Sequence, residues 1–311
     1  MNMQTILIAG GTGLVGKALT NYLLERGYQV IILTRNILTA QSSFPLHSRL
    51  TYSFWNPAKS FIDPAILKIA DHIINLAGAG VADKRWSSSR KKEIRDSRVI
   101  AGACIVKVLQ EQAHHVKTVV NASAIGWYGP DAATLTDGFA EEAPSSHDYL
   151  GSTCKEWESS AFAIDKLGIR VITLRIGLVL TPAGGALREF IKPLRWGIAT
   201  ILGNGKQTIS WIHINDLIAL FEYAIVKNDL QGVYNAVAPA PVTNQVLIRT
   251  LAASKQSFFI PIHVPALLLK LIMGEMSIEV LKSTTVSAKK IVNAGFQFRY
   301  PTIQAALHSF F

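Results

Sequence analysis

The sequence predicts an α/β fold, with a parallel sheet that carries helices on both faces and a smaller lobe after it. Strand-like and helix-like runs alternate through residues 1–177, and neighbouring parallel strands need a crossover, usually a helix, to join them. After Gly177 the alternation loosens into short strands and helices. We therefore expect a doubly wound sheet followed by a smaller carboxy-terminal lobe.

The first elements form one strand–helix–strand unit. The apolar run Thr5–Ala9 predicts a buried strand, Leu14–Arg26 a helix that ends at Gly27, and Val30–Thr34 a second strand. The same rhythm then predicts strands at Leu50–Phe54, His72–Leu76, Lys117–Ser123 and Arg170–Arg175, and helices at about Ser87–Gln112 and Leu150–Leu167.

The later part of the chain predicts shorter elements. They are strands at Thr208–Ile212 and Val233–Ala236, helices at Leu217–Val226, Pro265–Met273 and, rich in basic residues, Lys282–Ile291, and a terminal strand and helix in AGFQFRYPTIQAAL. We expect residues 1–177, with a segment returning at about 207–240, to form the main domain. Residues 178–206 and 241–311 are expected to form a substrate lobe.

The composition excludes several classes of protein. The 311 residues (34.0 kDa) are 49% hydrophobic and 17% charged, with a mean hydropathy of +0.27, so extended disorder is excluded. Cys104 and Cys154 have no paired spacing that would build a disulfide framework or a metal site. The apolar runs fall short of the ~18–20 residues that span a bilayer, and no basic region precedes the first one. We therefore expect no membrane partner and a cytoplasmic location.

The net charge of +10 raises the question of an anionic partner. The densest basic cluster is Lys84, Arg85, Arg90, Lys91, Lys92, Arg95 and Arg98. At helical spacing these residues spread around a helix instead of lying between stacking aromatic residues. This pattern favours a solvated or cofactor-facing helix, and we expect no nucleic-acid partner.

A glycine-rich turn is the strongest local motif. The sequence Gly10-Gly11-Thr12-Gly13-Leu14-Val15-Gly16 directly follows the first strand and opens the first helix. Gly10 permits a tight turn, Gly13 lets the backbone approach a pyrophosphate, and Gly16 lets the helix pack on the strand. The helix amino terminus offers unpaired N–H groups to an anion. The motif predicts dinucleotide binding, with an ordinary tight turn as the alternative.

The end of the second strand distinguishes NAD from NADP. An acidic residue there would bond the ribose 2′-hydroxyl of NAD, whereas a cation favours the 2′-phosphate of NADP. This chain has Thr34-Arg35 with no acidic residue nearby, and a guanidinium can bind a phosphate with two hydrogen bonds. We therefore expect NADP(H), although an exposed arginine at a strand end is also common. The sequence Asn75-Leu76-Ala77-Gly78 marks another strand end where small residues would let the chain pass close to the cofactor.

These motifs, together with Ala122-Ser123-Ala124 followed by Trp127-Tyr128-Gly129, resemble the extended short-chain dehydrogenase/reductases, which include nucleotide-sugar epimerases. A narrower resemblance is to an atypical epimerase-like branch with a distinctive small carboxy-terminal domain. It is carried by GVADKRWSSSRKKEIRDSRV, LRIGLVLTPAGGAL, SWIHINDL, YNAVAPAPVTN and AGFQFRYP, and it covers the chain from Ile6 to about Leu307.

The resemblance implies a Rossmann-type NADP(H) domain over residues 1–177. The implied cofactor contacts are Gly10, Thr12, Gly13, Leu14, Val15, Gly16, Thr34, Arg35, Leu76 and Ala77, with Glu93 and Arg98 as further candidates on the following helix. A solvent-exposed pair is the alternative for these last two residues.

The chain departs from the superfamily pattern at the catalytic pair. Typical members place a Tyr and a Lys four residues apart on the helix after the fifth strand, where the Lys lowers the pKa of the Tyr. Aligning Glu158 with the acidic residue that usually follows puts Leu150 at the Tyr position and Cys154 at the Lys position. Tyr149 lies one residue before the Tyr position. Because a helix turns ~100° per residue, the Tyr149 side chain would point away from the direction of the usual Tyr.

The remaining candidates for proton transfer or carbonyl polarisation are Ser123, Tyr128 and Tyr149. Ser123 could polarise a substrate carbonyl, but counting back from Gly129 puts Ala124 at the expected position, and neighbouring residues on a strand face opposite ways. We expect Cys154 to be a packed thiol because no clear base is paired with it.

Two features of the smaller lobe are open to two interpretations. His213 could carry protons in a cleft or be a buried histidine at a strand end, before a helix that Asn215 or Asp216 caps. Arg188, Lys192 and Arg195 share one helical face, which could meet an anionic substrate or simply face solvent.

Two functions remain open from the sequence. The first is an NADP(H)-binding oxidoreductase or epimerase-like protein that acts by hydride transfer on a small molecule. The second is a non-catalytic NADP(H)-binding sensor or regulatory protein that lacks the Tyr and Lys. The sequence identifies neither the substrate nor the oligomeric state, and it predicts no metal site.

Overall fold

A computed structural model describes residues 3–133, 135–256 and 258–311. The strands are β1 Thr5–Ala9, β2 Gln29–Thr34, β3 Leu50–Asn56, β4 Phe61–Ile62, β5 His72–Asn75, β6 Thr118–Ala124, β7 Arg170–Ile176, β8 Leu178–Leu180, β9 Ile198–Leu202, β10 Thr208–Ile209, β11 Trp211–His213, β12 Gly232–Ala236, β13 Val242–Thr243 and β14 Ile260–Val264. The α-helices are α1 Leu14–Glu25, α2 Ile37–Gln41, α3 Pro64–Leu67, α4 Ser88–Glu111, α5 Tyr149–Phe162, α6 Gly185–Leu194, α7 Ile214–Val226, α8 Asn244–Ser254, α9 Ala266–Met273, α10 Ser277–Leu281, α11 Lys289–Asn293 and α12 Ile303–His308.

The centre of the molecule is an eight-stranded sheet in the order β12-β7-β6-β5-β1-β2-β3-β4. Its strands run parallel except β4, which pairs antiparallel with β3. The predicted doubly wound α/β fold is thereby confirmed.

Two apolar cores lie on opposite faces of this sheet because successive strand side chains alternate. On β1, Ile6 and Ile8 belong to the core that also contains residues of α1 and α7. Leu7 and Ala9 face the other core, which α4 covers, and α5 packs beside α4. A third core lies in the later part of the chain and includes residues of α6, α8 and α12.

Four sequence-based predictions for the later part of the chain are wrong. The predicted strand Thr208–Ile212 breaks at Ser210, whose hydroxyl donates to the Thr284 carbonyl and accepts from the Val286 N–H. The predicted helix Lys282–Ile291 begins only at Lys289. The residues before it are extended because Thr284 bonds Thr208 and forms a bridge to Ile209.

The other two corrections concern the start of α7 and the terminal segment. Helix α7 is capped by His213, whose Nδ1 accepts the Asn215 N–H, and not by Asn215 or Asp216. The carboxylate of Asp216 instead accepts the backbone N–H groups of Arg299 and Tyr300. This contact holds the segment before α12 in an irregular conformation where a strand was predicted.

The predicted division into a main domain and a substrate lobe stays a prediction. Strand β12, in the segment expected to return, lies beside β7 at the edge of the main sheet. Among the helices that the structure describes, none has the length and apolar character needed to cross a membrane.

Candidate functional site

The glycine turn packs against the end of a neighbouring strand. Gly10 has a φ of +81°, and a Cβ added there would lie 2.7 Å from the carbonyl carbon of Leu76. At Gly16 an added Cβ would overlap the carbonyl oxygen of Gly10, so α1 sits directly on the turn. Both positions need glycine for reasons of space, and Gly10 needs it for its backbone conformation as well.

The amino terminus of α1 is open to an anion. Gly13 is the N-cap, so within the described residues no side-chain cap closes the start of the helix, and its first turn holds no acidic residue. The first intrahelical bond runs from the Lys17 N–H to the Gly13 carbonyl. The preceding N–H groups of the first turn and the positive end of the helix dipole can therefore serve a phosphate.

A free cation lies at the end of β2, beside β1. Arg35 is exposed, and its guanidinium has no hydrogen-bond or salt-bridge partner in the part of the chain that the structure describes. The hydroxyl of Thr34 is occupied locally, because it accepts the Asn36 N–H at 3.1 Å. Arg35 is thus available to a negatively charged group.

The end of β5 is held by its asparagine. Asn75 donates from Nδ2 to Asn121 Oδ1 at 2.8 Å, and its Oδ1 accepts the Ala77 N–H at 3.2 Å. These bonds fix the backbone of Leu76 and Ala77 against Gly10. The structure therefore brings together the glycine turn, residues 76–77 and the end of β2 that carries Arg35, at the carboxyl edge of the sheet.

The two candidates on α4 have different surroundings. Arg98 packs on Gly78, donates to the carbonyls of Ala79 and Ile94, and lies 4.9 Å from the Trp157 ring centroid. Glu93 is exposed and accepts from Arg90 at 2.6 Å. Arg98 thus lies between the β5 turn and the interior, whereas Glu93 lies on the surface.

A cavity of about 290 Å³ adjoins this edge of the sheet. Its walls are mainly apolar and come from α4, α5, the ends of β6 and β7, and the carboxy-terminal lobe. Among the lining residues are Ile94, Arg98, Ala124, Leu150, Cys154, Trp157, Ile176, Leu178, Glu279 and Lys282. Ligand cavities of roughly this size and apolar character are typical of small-molecule sites.

Leu150 and Cys154 face this cavity at the positions aligned with the usual Tyr and Lys. Burial raises the pKa of the Cys154 thiol to about 12, so the thiol is protonated at neutral pH. Cys154 is a buried free cysteine, as the sequence predicts for a packed thiol. An apolar leucine and a neutral thiol replace the groups that would ordinarily move a proton.

The polar part of the cavity wall comes from the carboxy-terminal lobe. Lys282 binds Glu279 at 2.8 Å and lies 3.5 Å from an oxygen of Asp148. Burial raises the pKa of Glu279 while Lys282 lowers it, and burial is the larger effect. Sequence analysis missed this group because it placed Lys282 in a helix, and no pattern linked it to residues more than 120 positions earlier in the chain.

Ser123 and Tyr128 lie in a buried polar cluster. Ser123 donates to Glu158 at 2.6 Å, while Tyr128 donates to Asn235 and accepts from Arg175. Arg175 and Glu158 form two hydrogen bonds of 2.8 and 2.9 Å with each other and are almost wholly buried. Burial raises the pKa of Tyr128 to about 12.

Tyr149 stands at the start of α5. Its hydroxyl donates to the Lys91 carbonyl at 2.9 Å, and burial raises its pKa. Ser123, Tyr128 and Tyr149 are not among the described residues that line the cavity, although Ala124, the neighbour of Ser123, is. A catalytic role for these three stays a prediction, and their hydroxyls serve hydrogen bonds within the protein.

The other candidates of the smaller lobe also have definite surroundings. His213 is buried, with Nδ1 accepting the Asn215 N–H and Nε2 bonded to Ser309, which agrees with the interpretation of a buried strand-end histidine. Arg188, Lys192 and Arg195 are exposed, and Lys192 pairs with Glu189. No group of three or more potential metal ligands occurs within residues 3–133, 135–256 and 258–311.

Two protein-family models match different parts of the chain. Residues 6–236 match the model of the NAD-dependent epimerase/dehydratase family. Residues 264–310 match a domain of unknown function, DUF1731. The second match covers α9 to α12 and includes Glu279 and Lys282 of the cavity wall.

Relatives resemble this chain over nearly its whole length. An epimerase family protein of Mycobacterium bovis is 32% identical, with 99% of this chain and 97% of the relative covered. One of Staphylococcus aureus is 34% identical, with 98% of each covered. Among solved structures, the human epimerase family protein SDR39U1 with NADPH has a TM-score of 0.83 at 27% identity, with 99% of each chain covered.

Proposed function

The chain belongs to the NAD-dependent epimerase/dehydratase family, and from that premise we propose that it binds NADP(H) and acts by hydride transfer on a small molecule. The observation that carries the proposal is the exposed Arg35, which has no partner among the described residues, near the open amino terminus of α1. The resemblance to the human protein solved with NADPH supports the same cofactor.

The residues present fit such a cofactor. Gly10 and Gly16 leave no room for a side chain, so the turn exposes backbone where a pyrophosphate could approach. The N–H groups of the first turn of α1, from Leu14, Val15 and Gly16, would hold the pyrophosphate, and Thr12 and Gly13 would lie against it. Arg35 would bind the 2′-phosphate, with Thr34, Leu76 and Ala77 along the adenosine side.

When bound, NADPH supplies a hydride equivalent. This chain's own contribution is a mainly apolar cavity that could bury much of a compact substrate. Arg98 adds positive charge to the wall, which would stabilise negative charge that develops on a substrate oxygen, whereas the charge of Lys282 is paired with Glu279. We further propose that the protein acts in the cytoplasm and that its partner is a small molecule rather than a nucleic acid or a membrane.

The cavity also supports a second candidate function, a non-catalytic NADP(H) sensor. The specific observation is the pair Leu150 and Cys154, since neither side chain can act as an acid or base near neutral pH in this setting. A sensor would keep the cofactor cradle and bind without turnover.

Calorimetric titration with NADPH and NADH tests the cofactor. We expect NADPH to bind more tightly, and Arg35→Ala to remove most of that preference, roughly tenfold or more, because a charge-assisted bond to the 2′-phosphate is lost. Arg249→Ala is the matched control, because Arg249 is an exposed arginine on α8, in the carboxy-terminal lobe. Equal affinity for the two cofactors in the parent protein would contradict the role of Arg35.

An activity assay on the same purified protein then distinguishes an enzyme from a sensor. Incubation with NADPH and a panel of carbonyl compounds, followed at the absorbance of the reduced nicotinamide, should show oxidation if the protein catalyses net reduction of a carbonyl group. Tight binding with no oxidation across aldehydes, ketones and keto acids would favour the sensor.

A further inference from the structure

A second pocket lies at the opposite edge of the main sheet from the glycine turn. It has a volume of about 460 Å³ and opens where β5, β6 and β7 begin and α7 ends. Its polar lining residues are Gln4, His72, Lys117, Thr118, Arg170 and Asn228. The proposed cofactor site lies at the carboxyl ends of the strands, so the two sites are separate.

His72 is buried in this pocket without a partner. It is 4% exposed, and neither ring nitrogen has a hydrogen-bond partner in the described part of the chain. His213 is buried to a similar extent, yet both of its ring nitrogens are bonded. A buried polar group without a partner is costly and needs an explanation, such as a ligand or ordered water.

The strand register explains why His72 meets a cationic group. His72 pairs with Thr118, and Thr118 pairs with Arg170, so the three side chains stand in a row on one face of the sheet. Arg170 donates to carbonyls at the end of α7 and to Thr118 Oγ1. Its positive charge is thus fixed in place two strands away from His72.

The charges around the pocket favour an anion. Lys117 and Arg170 line it, and no carboxylate is among the described lining residues. Lys117 is itself paired with Asp71 at 2.8 Å, and Asp229 lies 3.3 Å from Lys227, so Arg170 supplies the excess positive charge of the pocket. Burial lowers the pKa of His72 to about 4; the neighbouring Asp71 carboxylate raises it, while Arg170 and Lys117 lower it, so the ring is neutral at pH 7 and one nitrogen carries a proton to donate.

We propose that this pocket binds a phosphate group between His72, Lys117 and Arg170. The imidazole N–H and the ammonium would donate to the phosphate oxygens, and the guanidinium would stabilise its charge at short range. The phosphate could be the free ion or part of a phosphorylated small molecule, since both present the same oxygens. A pocket filled only with water is the competing outcome.

The test follows the histidine ring signals of the full chain by NMR during titration with inorganic phosphate at pH 7 and constant ionic strength. The His72 signals, assigned with His72→Gln, should shift and saturate, while those of His213 stay in place as an internal control. Because the glycine turn can also take phosphate, the His72 signal is the readout and not total binding.

A lysine variant checks the proposed contact. Lys117→Gln should weaken the phosphate response of His72 by about tenfold, because one charge-assisted bond is lost, whereas Lys59→Gln, at an exposed lysine elsewhere, should leave it unchanged. A parallel titration with glycerol phosphate identifies the source, since tighter binding than inorganic phosphate favours a phosphorylated metabolite. His72 signals that respond to neither compound, or respond equally to chloride, would overturn the proposal.

Discussion

At the scale of single residues, the structure depends on positions where no other side chain fits and on buried polar groups that must be paired. Arg175 and Glu158 are an example of buried polar groups that are paired. Both are almost wholly buried, and Arg175 also lies 3.7 Å from the Trp127 ring centroid, so the pair holds the turn that follows β6. Removing one member of such a buried ion pair leaves the other charge unpaired, which strongly destabilises the protein. This cost explains why the hydroxyls of Ser123 and Tyr128 form hydrogen bonds with the pair.

Gly10→Ala tests whether the structure depends on a position where no other side chain fits. Gly10 and Gly27 both have positive φ, but an added Cβ at Gly27 meets nothing within 4 Å, whereas at Gly10 it strikes the Leu76 backbone. We expect Gly27→Ala to lower the free energy of unfolding by about 1–2 kcal/mol, from backbone strain alone. Gly10→Ala should cost more than that, and it should also weaken NADPH binding.

Denaturant unfolding of both variants measures the difference, and calorimetry measures the affinity. Equal destabilisation by the two substitutions would mean that the close approach of Gly10 to Leu76 contributes nothing.

At the scale of elements, helices differ in how much of their apolar surface they bury. Helix α1 buries Leu19 and Leu23 completely against the main sheet. Helix α9 buries only Leu269, and it leaves Leu267, Leu271 and Ile272 more than 60% exposed. An apolar run predicts a helix equally well in both places, but burial depends on what lies opposite.

Two leucines on α9 provide a matched pair. Leu269→Ala should lower the free energy of unfolding by about 2–5 kcal/mol, because it removes a packed side chain. The Leu271 side chain is 72% exposed, so Leu271→Ala should change the free energy of unfolding by no more than about 0.5 kcal/mol. Chemical denaturation of the two variants checks this ordering, and a large loss from Leu271→Ala would show that its side chain is covered in solution.

At the scale of the whole molecule, stability should depend on pH through two buried histidines. Burial lowers the pKa of His72 and of His213 to about 4, below the ordinary value of 6.5. Between these values the unfolded chain binds more protons than the folded one, so stability is fully present above pH 6.5 and is lost as the pH falls toward 4.

We expect a slope of about 1.4 kcal/mol per pH unit for each histidine in that window, measured by denaturant unfolding in a buffer without phosphate. His213→Asn keeps a side chain that can cap α7 and should remove one of the two contributions. An unchanged slope in this variant would mean that His213 is protonated in the folded protein.

The amino-acid sequence is enough to predict the parallel sheet, the glycine turn between β1 and α1, and the position of Arg35 at the end of β2. These features depend on local periodicity and on residues close together in the chain, so pattern and spacing are enough to predict them. The absence of the Tyr and Lys pair was also visible there.

Which side chains lie in contact with each other becomes clear only in the folded protein. Lys282 lies beside Asp148, and His72 stands in a row with Thr118 and Arg170, through contacts between residues far apart in the sequence. Ser123 turned toward Glu158 while Ala124 faced the cavity, a choice that depends on a one-residue register. Burial and partners arise from packing of distant segments, and no local pattern encodes them.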